Sequence, residues 1–153
     1  MFDVIVDTRE QYPWSFGSSI IIDNIIHRKL DTGDYSIVGM EDILCIERKK
    51  SVTELATNIV DDRFKRELER MGKFKYKFLL LEFNYSQIDQ YPNGTDIPKR
   101  LQDKIKITGG FIIKCLTDLQ IKYDIHVMAC GNAQYAEYIA EKIMKRVYES
   151  RNN

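Results

Sequence analysis

Two carboxylates and a lysine set the chemistry open to this chain: Asp34, in Gly33-Asp34-Tyr35, and Glu47 and Lys49, in Ile46-Glu47-Arg48-Lys49. The segment between the two motifs, Ser36 to Cys45, reads as alternating apolar runs around a polar turn at Gly39 to Asp42, which predicts a β-hairpin. Pairing Val38 with Ile43 and counting back along the ladder sets Asp34 opposite Glu47. Opposed Cβ atoms lie ~5 Å apart, where like charges are destabilising unless something compensates. A divalent cation would compensate. Alternation puts Lys49 on the same strand face as Glu47 and Arg48 on the other. Two carboxylates can hold Mg²⁺ through hard oxygen ligands, leaving positions for water and a phosphate oxygen. Such an ion lowers the pKa of its water and neutralises charge on a phosphodiester under attack. A neighbouring ammonium can orient that water or stabilise the charge. The same spacing also fits a surface hairpin with an ordinary salt bridge.

The elements that must position these residues follow from periodicity. Phe2 to Val6 is an apolar strand that delivers Asp7-Thr8-Arg9-Glu10 at its end, where α/β sheets place chemistry. Gln11 to Asn24, with Pro13, Trp14 and a Gly17-Ser18-Ser19 break, reads as a loop before a strand from Ile25 to Leu30. After Lys50 the period changes from two to about four. Val52, Leu55, Ala56 and Ile59 form one apolar helix face, and Phe64, Leu68 and Met71 a second, closed by Gly72. Arg63, Arg66 and Arg70 share one face of that second helix, away from its apolar stripe. Tyr76 to Phe83 is a nearly continuous apolar strand of the kind buried on both sides.

Asn84 to Pro98 is polar and is expected at the surface. Lys99 to Lys122 carries Leu101, Ile105, Ile112, Leu116 and Leu119 at helical spacing, with a bend or break at Gly109-Gly110. A strand at Ile125 to Ala129 follows, and Asn132 caps a last helix with Ala136, Ile139, Ile143 and Val147 as its stripe. This order predicts one α/β layered domain over residues 1–153, a central mixed β-sheet flanked by helices.

With 153 residues, 44% hydrophobic and 30% charged, the chain has the composition and length for one domain with a real core. No apolar run exceeds strand length and no signal peptide is visible, so an intracellular protein without a membrane partner is expected. Cys45, Cys115 and Cys130 form no Cys-X-X-Cys pair, and only His27 and His126 could join them, which argues against zinc and for reduced thiols. The net charge of +0 gives no global argument for a polyanion. From Arg63 to Lys77, however, seven basic residues stand against Glu67 and Glu69, a local +5 that also fits a solvated helix face. Tyr12 and Trp14 are of the type that stacks on bases, although covering a core edge accounts for Trp14 more simply. His27 reads as structural.

Taken in order, Val6-Asp7-Thr8-Arg9-Glu10, Gly33-Asp34-Tyr35, Ile46-Glu47-Arg48-Lys49, Glu54-Leu55, Asp61-Asp62-Arg63-Phe64 and Leu79-Leu80-Leu81-Glu82 resemble the nuclease domain of the XPF-type structure-specific endonucleases. Those enzymes belong to the restriction-endonuclease-like PD-(D/E)XK superfamily. The resemblance implies that Asp34 and Glu47 are the principal ligands of Mg²⁺ or Mn²⁺, with the Arg48 carbonyl as a third, and that Lys49 is the catalytic lysine. It implies Asp7 at the rim of the site, as a ligand to a second metal or through water, with Arg9 and Glu10 in support. Arg63 matches the arginine placed beside the scissile phosphate, and Arg66, Arg70 and Lys73 extend a DNA-binding face. Two positions depart from the pattern. The acid expected four residues after Lys49 falls at Thr53 and is displaced to Glu54, and the glycine expected before Arg63 is Asp62.

The leading expectation is therefore a metal-dependent DNA endonuclease acting near a branch, flap or fork in repair or recombination. Its rivals are a non-catalytic DNA-binding or dimerising subunit, and a restriction or junction-resolving nuclease of the same superfamily. The tandem helix-hairpin-helix module that usually follows the XPF-type nuclease domain is not found. A DNA-binding partner, a stand-alone version or an excised fragment would each account for that. A homodimer or heterodimer through the C-terminal helices is a further expectation, with Tyr135, Tyr138 and Ile139 on the candidate surface.

Overall fold

A chain that begins with strands and then alternates helix with strand must cover both faces of one sheet. The structure, a computed structural model, describes residues 1–151. Six strands, β1 (Phe2–Val6), β2 (Ile22–His27), β3 (Tyr35–Ile37), β4 (Leu44–Lys49), β5 (Tyr76–Leu81) and β6 (His126–Ala129), lie in the order β2-β1-β3-β4-β5-β6. β1 is parallel to β2, and β4, β5 and β6 are mutually parallel, whereas β3 runs antiparallel to both β1 and β4. The sheet is mixed, as the element order predicts.

The helices are α1 (Val52–Ile59), α2 (Asp62–Met71), α3 (Tyr85–Asp89), α4 (Lys99–Gln102), α5 (Gly109–Tyr123) and α6 (Ala133–Ser150). On one side of the sheet, α1, α2 and α5 pack with Cys45, Leu79 and Leu81; on the other, α6 and the loop bearing Trp14 and Phe16 cover Val4, Val6, Tyr35, Ile46 and Leu80. Covering both faces is what makes β4 and the end of β5 fully buried. Strand parity then decides the site: Glu47 and Lys49 share the face of Cys45, towards α1 and α2, and Arg48 shares the face of Ile46, towards α6. Among the described residues no helix is long and apolar enough to cross a membrane.

The apolar stripes predicted for α1 and α2 are the buried ones. Ser51 caps α1 by accepting from the Glu54 amide, and Asp61 caps α2 by accepting from the Arg63 amide. All three cysteines are free thiols, Cys45 and Cys130 buried.

Several boundaries differ from the periodicity. β2 starts earlier, at Ile22, and ends at His27, so Arg28 to Leu30 leave the sheet and Leu30 turns to Asp7 instead. The β3–β4 connection is wider than a four-residue turn. Val38 gives its amide to Asp3 in the neighbouring strand, and Leu44 donates to Met40. Asn84 to Pro98 is not a simple surface excursion, because it contains α3 and buries Ile88 and Tyr91. Two isolated apolar side chains in a polar stretch carry no periodicity to detect.

In α6 the buried stripe is Ala136, Ala140, Met144 and Val147, with Ile139 and Ile143 on its flank. The two alanines admit close approach to the sheet, which the longer isoleucines would block. Gly72 ends α2 in the right-handed region, not the left-handed one expected of a terminating glycine; a Cβ there would lie 3.2 Å from the Tyr123 ring.

Candidate active site

The site begins with a backbone requirement. Gly33 has φ +88, and a Cβ on it would stand 2.6 Å from Cys45 Sγ and 3.3 Å from the Ile46 carbonyl. Only glycine lets the chain turn this tightly into β3 against β4. Asp34 is delivered by that turn: its amide donates to the Ile46 carbonyl (2.8 Å), and its own carbonyl accepts from the Asp7 amide (2.8 Å). Tyr35 pairs with Ile46, so Asp34 lies opposite Glu47 in the register that the hairpin predicts. The Arg48 amide donates to Asp34 Oδ2 at 2.8 Å and fixes the carboxylate beside β4.

Glu47 is buried, its Oε1 3.3 Å from Lys49 Nζ. Its other oxygen, Oε2, has no hydrogen-bond partner. Lys49 also lies 3.9 Å from Glu54 Oε1, with its ammonium 4.7 Å from the centroid of the Phe64 ring. The displaced acid therefore still meets the lysine. Glu54 stands in the first turn of α1, capped by Ser51, and from there it faces the end of β4.

Burial, reinforced by Glu10, pushes the Asp34 carboxyl up to about 7. Burial also lifts Glu47 well above the carboxylate range, with Asp34 and Glu67 adding to the effect. For Lys49, burial disfavours the charge, but Glu47, Glu54, Glu67 and Asp34 together outweigh it and raise its pKa. Burial thus resists charge on the acids, whereas the carboxylates around Lys49 favour the charge on the lysine.

Asp7 stands at the rim, buried, with both oxygens engaged. Oδ1 accepts from the Leu30 amide (2.8 Å) and Oδ2 from Arg9 Nε (2.9 Å). Burial opposes its charge, but Arg9 and the Leu30 amide prevail and lower its pKa. Arg9 reaches on to the Leu30 carbonyl at 2.8 Å, so this pair holds the segment leaving β2 against the site.

On the opposite face, Arg48 is buried against Glu10 (2.9 Å) and Glu82 (3.7 Å), with its guanidinium 5.0 Å over the Trp14 ring. It also donates to the Gln11 and Tyr12 carbonyls. Tyr35 donates its hydroxyl to Glu10, and Trp14 stacks on Tyr35 at 4.5 Å. Glu10 thus supports the site through Arg48, and Trp14 covers the core edge, whereas Tyr12 is exposed.

A cavity of about 200 Å³ has Asp34, Glu47 and Asp7 on its sheet side and Arg63, Glu67 and Arg70 on its α2 side. Of the four basic residues expected to face DNA, Arg63 and Arg70 line this cavity, while Arg66 and Lys73 are exposed outside it. Lys77, counted in the basic run, donates to the Gly72 and Phe74 carbonyls and caps the end of α2. Glu67 is the cavity-lining residue that a charge count misses, because it ranks only as one acid in a basic stretch. The signal that could find it is its spacing, four after Arg63 and three before Arg70, which puts it on their helix face.

The donor set suits a hard divalent cation: two carboxylates converge, and the orphaned Glu47 Oε2 is buried with nothing to accept from. Among the described residues, no three acidic, histidine or cysteine side chains already stand at metal-holding geometry. Lys49 and the Arg48 amide instead occupy one oxygen each of Glu47 and Asp34.

Comparison with known proteins decides the family, since residues 6–141 match the ERCC4 domain. The chain belongs to the ERCC4 domain family. Curated protein sequences return no match. Among solved structures, XPF from Aeropyrum pernix superposes with a TM-score of 0.69 at 21% identity, covering 97% of this chain and 66% of that chain. The same protein in complex with DNA gives a TM-score of 0.69 at 20% identity, covering 100% and 68%. The chain thus spans about two thirds of the length of the XPF chains it matches, and the shared feature is the fold. In this ERCC4 domain, the Gly33-Asp34 turn and the Glu47-Arg48-Lys49 strand lie side by side at the sheet end that the cavity opens onto.

Proposed function

We propose that this ERCC4 domain hydrolyses phosphodiester bonds in DNA, with Mg²⁺ or Mn²⁺ as cofactor, at branched, flap or fork structures. The observation that carries the reading is the convergence of Asp34 and Glu47, one oxygen buried and unpartnered, on a cavity whose far wall bears Arg63 and Arg70. Asp34, Glu47 and the Arg48 carbonyl would hold the cation, which supplies an acidified water and screens charge on the phosphate. Lys49 holds the attacking water's oxygen through its ammonium, kept charged by the acids around it. Arg63 and Arg70 take the phosphate oxygens of the strand, and Arg66 and Lys73 continue the electrostatic track outside the cavity. Asp7 positions Arg9 and the rim. The DNA complex of the Aeropyrum pernix protein supports DNA as the ligand class.

The same reading takes the last helix as a pairing surface for a second nuclease subunit. Of its candidate residues Tyr135 and Tyr138 are exposed on α6, and Ile139 lines a separate apolar hollow with Ile143, Phe78 and Met128.

The test is cleavage of labelled flap, fork and plain duplex DNA with Mg²⁺ and with chelator, for the wild type and Asp34→Ala. Metal-dependent cleavage of branched DNA that Asp34→Ala abolishes is expected. Equal activity of the two proteins would overturn the site assignment. Sequence-dependent cutting of plain duplex would favour a restriction-type enzyme instead.

A further inference from the structure

Glu67 lies on α2 with Arg63 one turn before it and Arg70 one turn after it, all three on the wall of the same cavity. A glutamate flanked in this way ordinarily pairs with one of its arginines. Among the ion pairs of the described residues, Glu67 makes none. Arg70 gives its Nε to Thr32 Oγ1 instead, at 3.2 Å. Glu67 lines the same cavity as Glu47 and Asp34, from the α2 side. Glu47 is only 5% exposed, and Lys49 satisfies its Oε1 but leaves Oε2 without a partner. Carboxylates that share one cavity repel unless a proton or a cation lies between them.

We propose that Glu67 is a third carboxylate of the cation site, facing Asp34 and Glu47 from α2 so that sheet and helix hold the ion together. This rests on the reading of Asp34 and Glu47 as the cation-holding pair. The arrangement gives α2 a second task. A cation bound between Glu47 and Glu67 ties the helix to the sheet end, and Arg63 and Arg70, one turn to either side, are held at a fixed distance from the ion. Phosphate capture and metal binding then depend on one helix face. Glu69, two residues further on, lies on a different wall with Phe64 and Leu68 and takes no part.

Mn²⁺ titration of the metal-free protein by calorimetry, without DNA, tests this directly. The variants are Glu67→Gln, Glu67→Asp, Glu69→Gln and Asp34→Asn, each checked by its melting curve. Glu67→Gln is expected to weaken Mn²⁺ binding about 10- to 100-fold, comparable to Asp34→Asn. Glu67→Asp should fall between, because it keeps the charge one methylene short of the site. Glu69→Gln, which removes the same charge elsewhere on the helix, should bind as the wild type does. Glu67→Gln binding within twofold of wild type, or Glu69→Gln weakening it equally, overturns the proposal while leaving the Asp34 and Glu47 site standing. A wild type that does not bind Mn²⁺ overturns both.

Discussion

Replacing Asp34 by asparagine should stabilise the metal-free protein, and only above acid pH. The Asp34 carboxyl rises from an ordinary 3.8 to about 7 in the folded chain, chiefly through burial. Its folded pKa exceeds the unfolded one, so the stability it contributes is full below pH 3.8 and is lost as pH rises through about 7. Relative to strongly acid pH, this group then lowers folding stability by about 4 kcal/mol at pH 8 and by about 0.5 kcal/mol at pH 4. Asparagine cannot ionise, yet its carbonyl oxygen can still accept from the Arg48 amide, which Asp34 Oδ2 accepts at 2.8 Å. The variant should therefore gain about 4 kcal/mol over wild type at pH 8 in urea unfolding with chelator present, and almost nothing at pH 4. In thermal melts the gain at pH 8 corresponds to roughly 8–16 °C for a domain of this size. Saturating Mg²⁺ should narrow the gap, because the ion stabilises the wild type by about 2.7 kcal/mol at a hundredfold excess over its Kd and has lost a ligand in the variant. A stability difference that is the same at pH 4 and pH 8 would refute the reasoning, since Asp34 would then ionise in the fold without penalty.

Other perturbations separate the parts of the site. Gly33→Ala should destabilise by about 1–3 kcal/mol in urea unfolding, since it combines a strained backbone with a Cβ 2.6 Å from Cys45 Sγ; wild-type stability would show that the turn tolerates a side chain. Arg48→Ala should cost about 3–5 kcal/mol by the same assay, because it strands Glu10 and Glu82 and frees the Trp14 loop; a cost under 1 kcal/mol would mean that water replaces the guanidinium. Lys49→Met should abolish cleavage while leaving Mn²⁺ affinity intact, since it frees Glu47 Oε1 rather than removing an oxygen ligand; a parallel loss of metal binding would place the lysine in the site's assembly instead. Arg63→Ala should weaken DNA binding across all sequences and lower the slope of log affinity against log salt by about 1; an unchanged slope would remove Arg63 from the phosphate track.

The parts of the site carried by neighbouring strands are legible in the amino-acid sequence. A turn glycine, an aspartate and an alternating strand fix which residues oppose each other, because strand parity has a period of two and one paired position sets all the rest. Asp34 opposite Glu47, and Lys49 beside it, follow from that arithmetic. The stripes of α1 and α2 are legible for a similar reason, since a period near 3.6 over two turns leaves little choice of face. What escapes is information carried by packing. Ile88 and Tyr91 sit in a polar stretch with no periodic signal, and only the position of α5 buries them. The α6 face is rotated from the predicted one because Ala136 and Ala140 allow close contact with the sheet, and hydrophobicity alone ranks isoleucine above alanine. Glu67 escapes because a charge count treats α2 as a uniform basic surface, whereas the fold presses only one strip of it against the sheet end.

That strip links the fold to the chemistry. Glu47 and Lys49 are buried because α1 and α2 cover their side of β4, and the covering layer makes the carboxylates reluctant to ionise alone. The opposite parity sends Arg48 into a second buried network with Glu10, Glu82 and Trp14, while its backbone amide holds Asp34. One strand therefore serves both layers, and a change at Arg48 should be felt at Asp34 through the peptide unit between them. A buried sheet end with two acids that resist ionising alone favours the proton on them in the metal-free protein, and in the proposed reading a divalent cation takes the place of that proton. A cation at Asp34 competes with the proton that burial holds there, so Mn²⁺ affinity should rise with pH up to about 7 and level off above it.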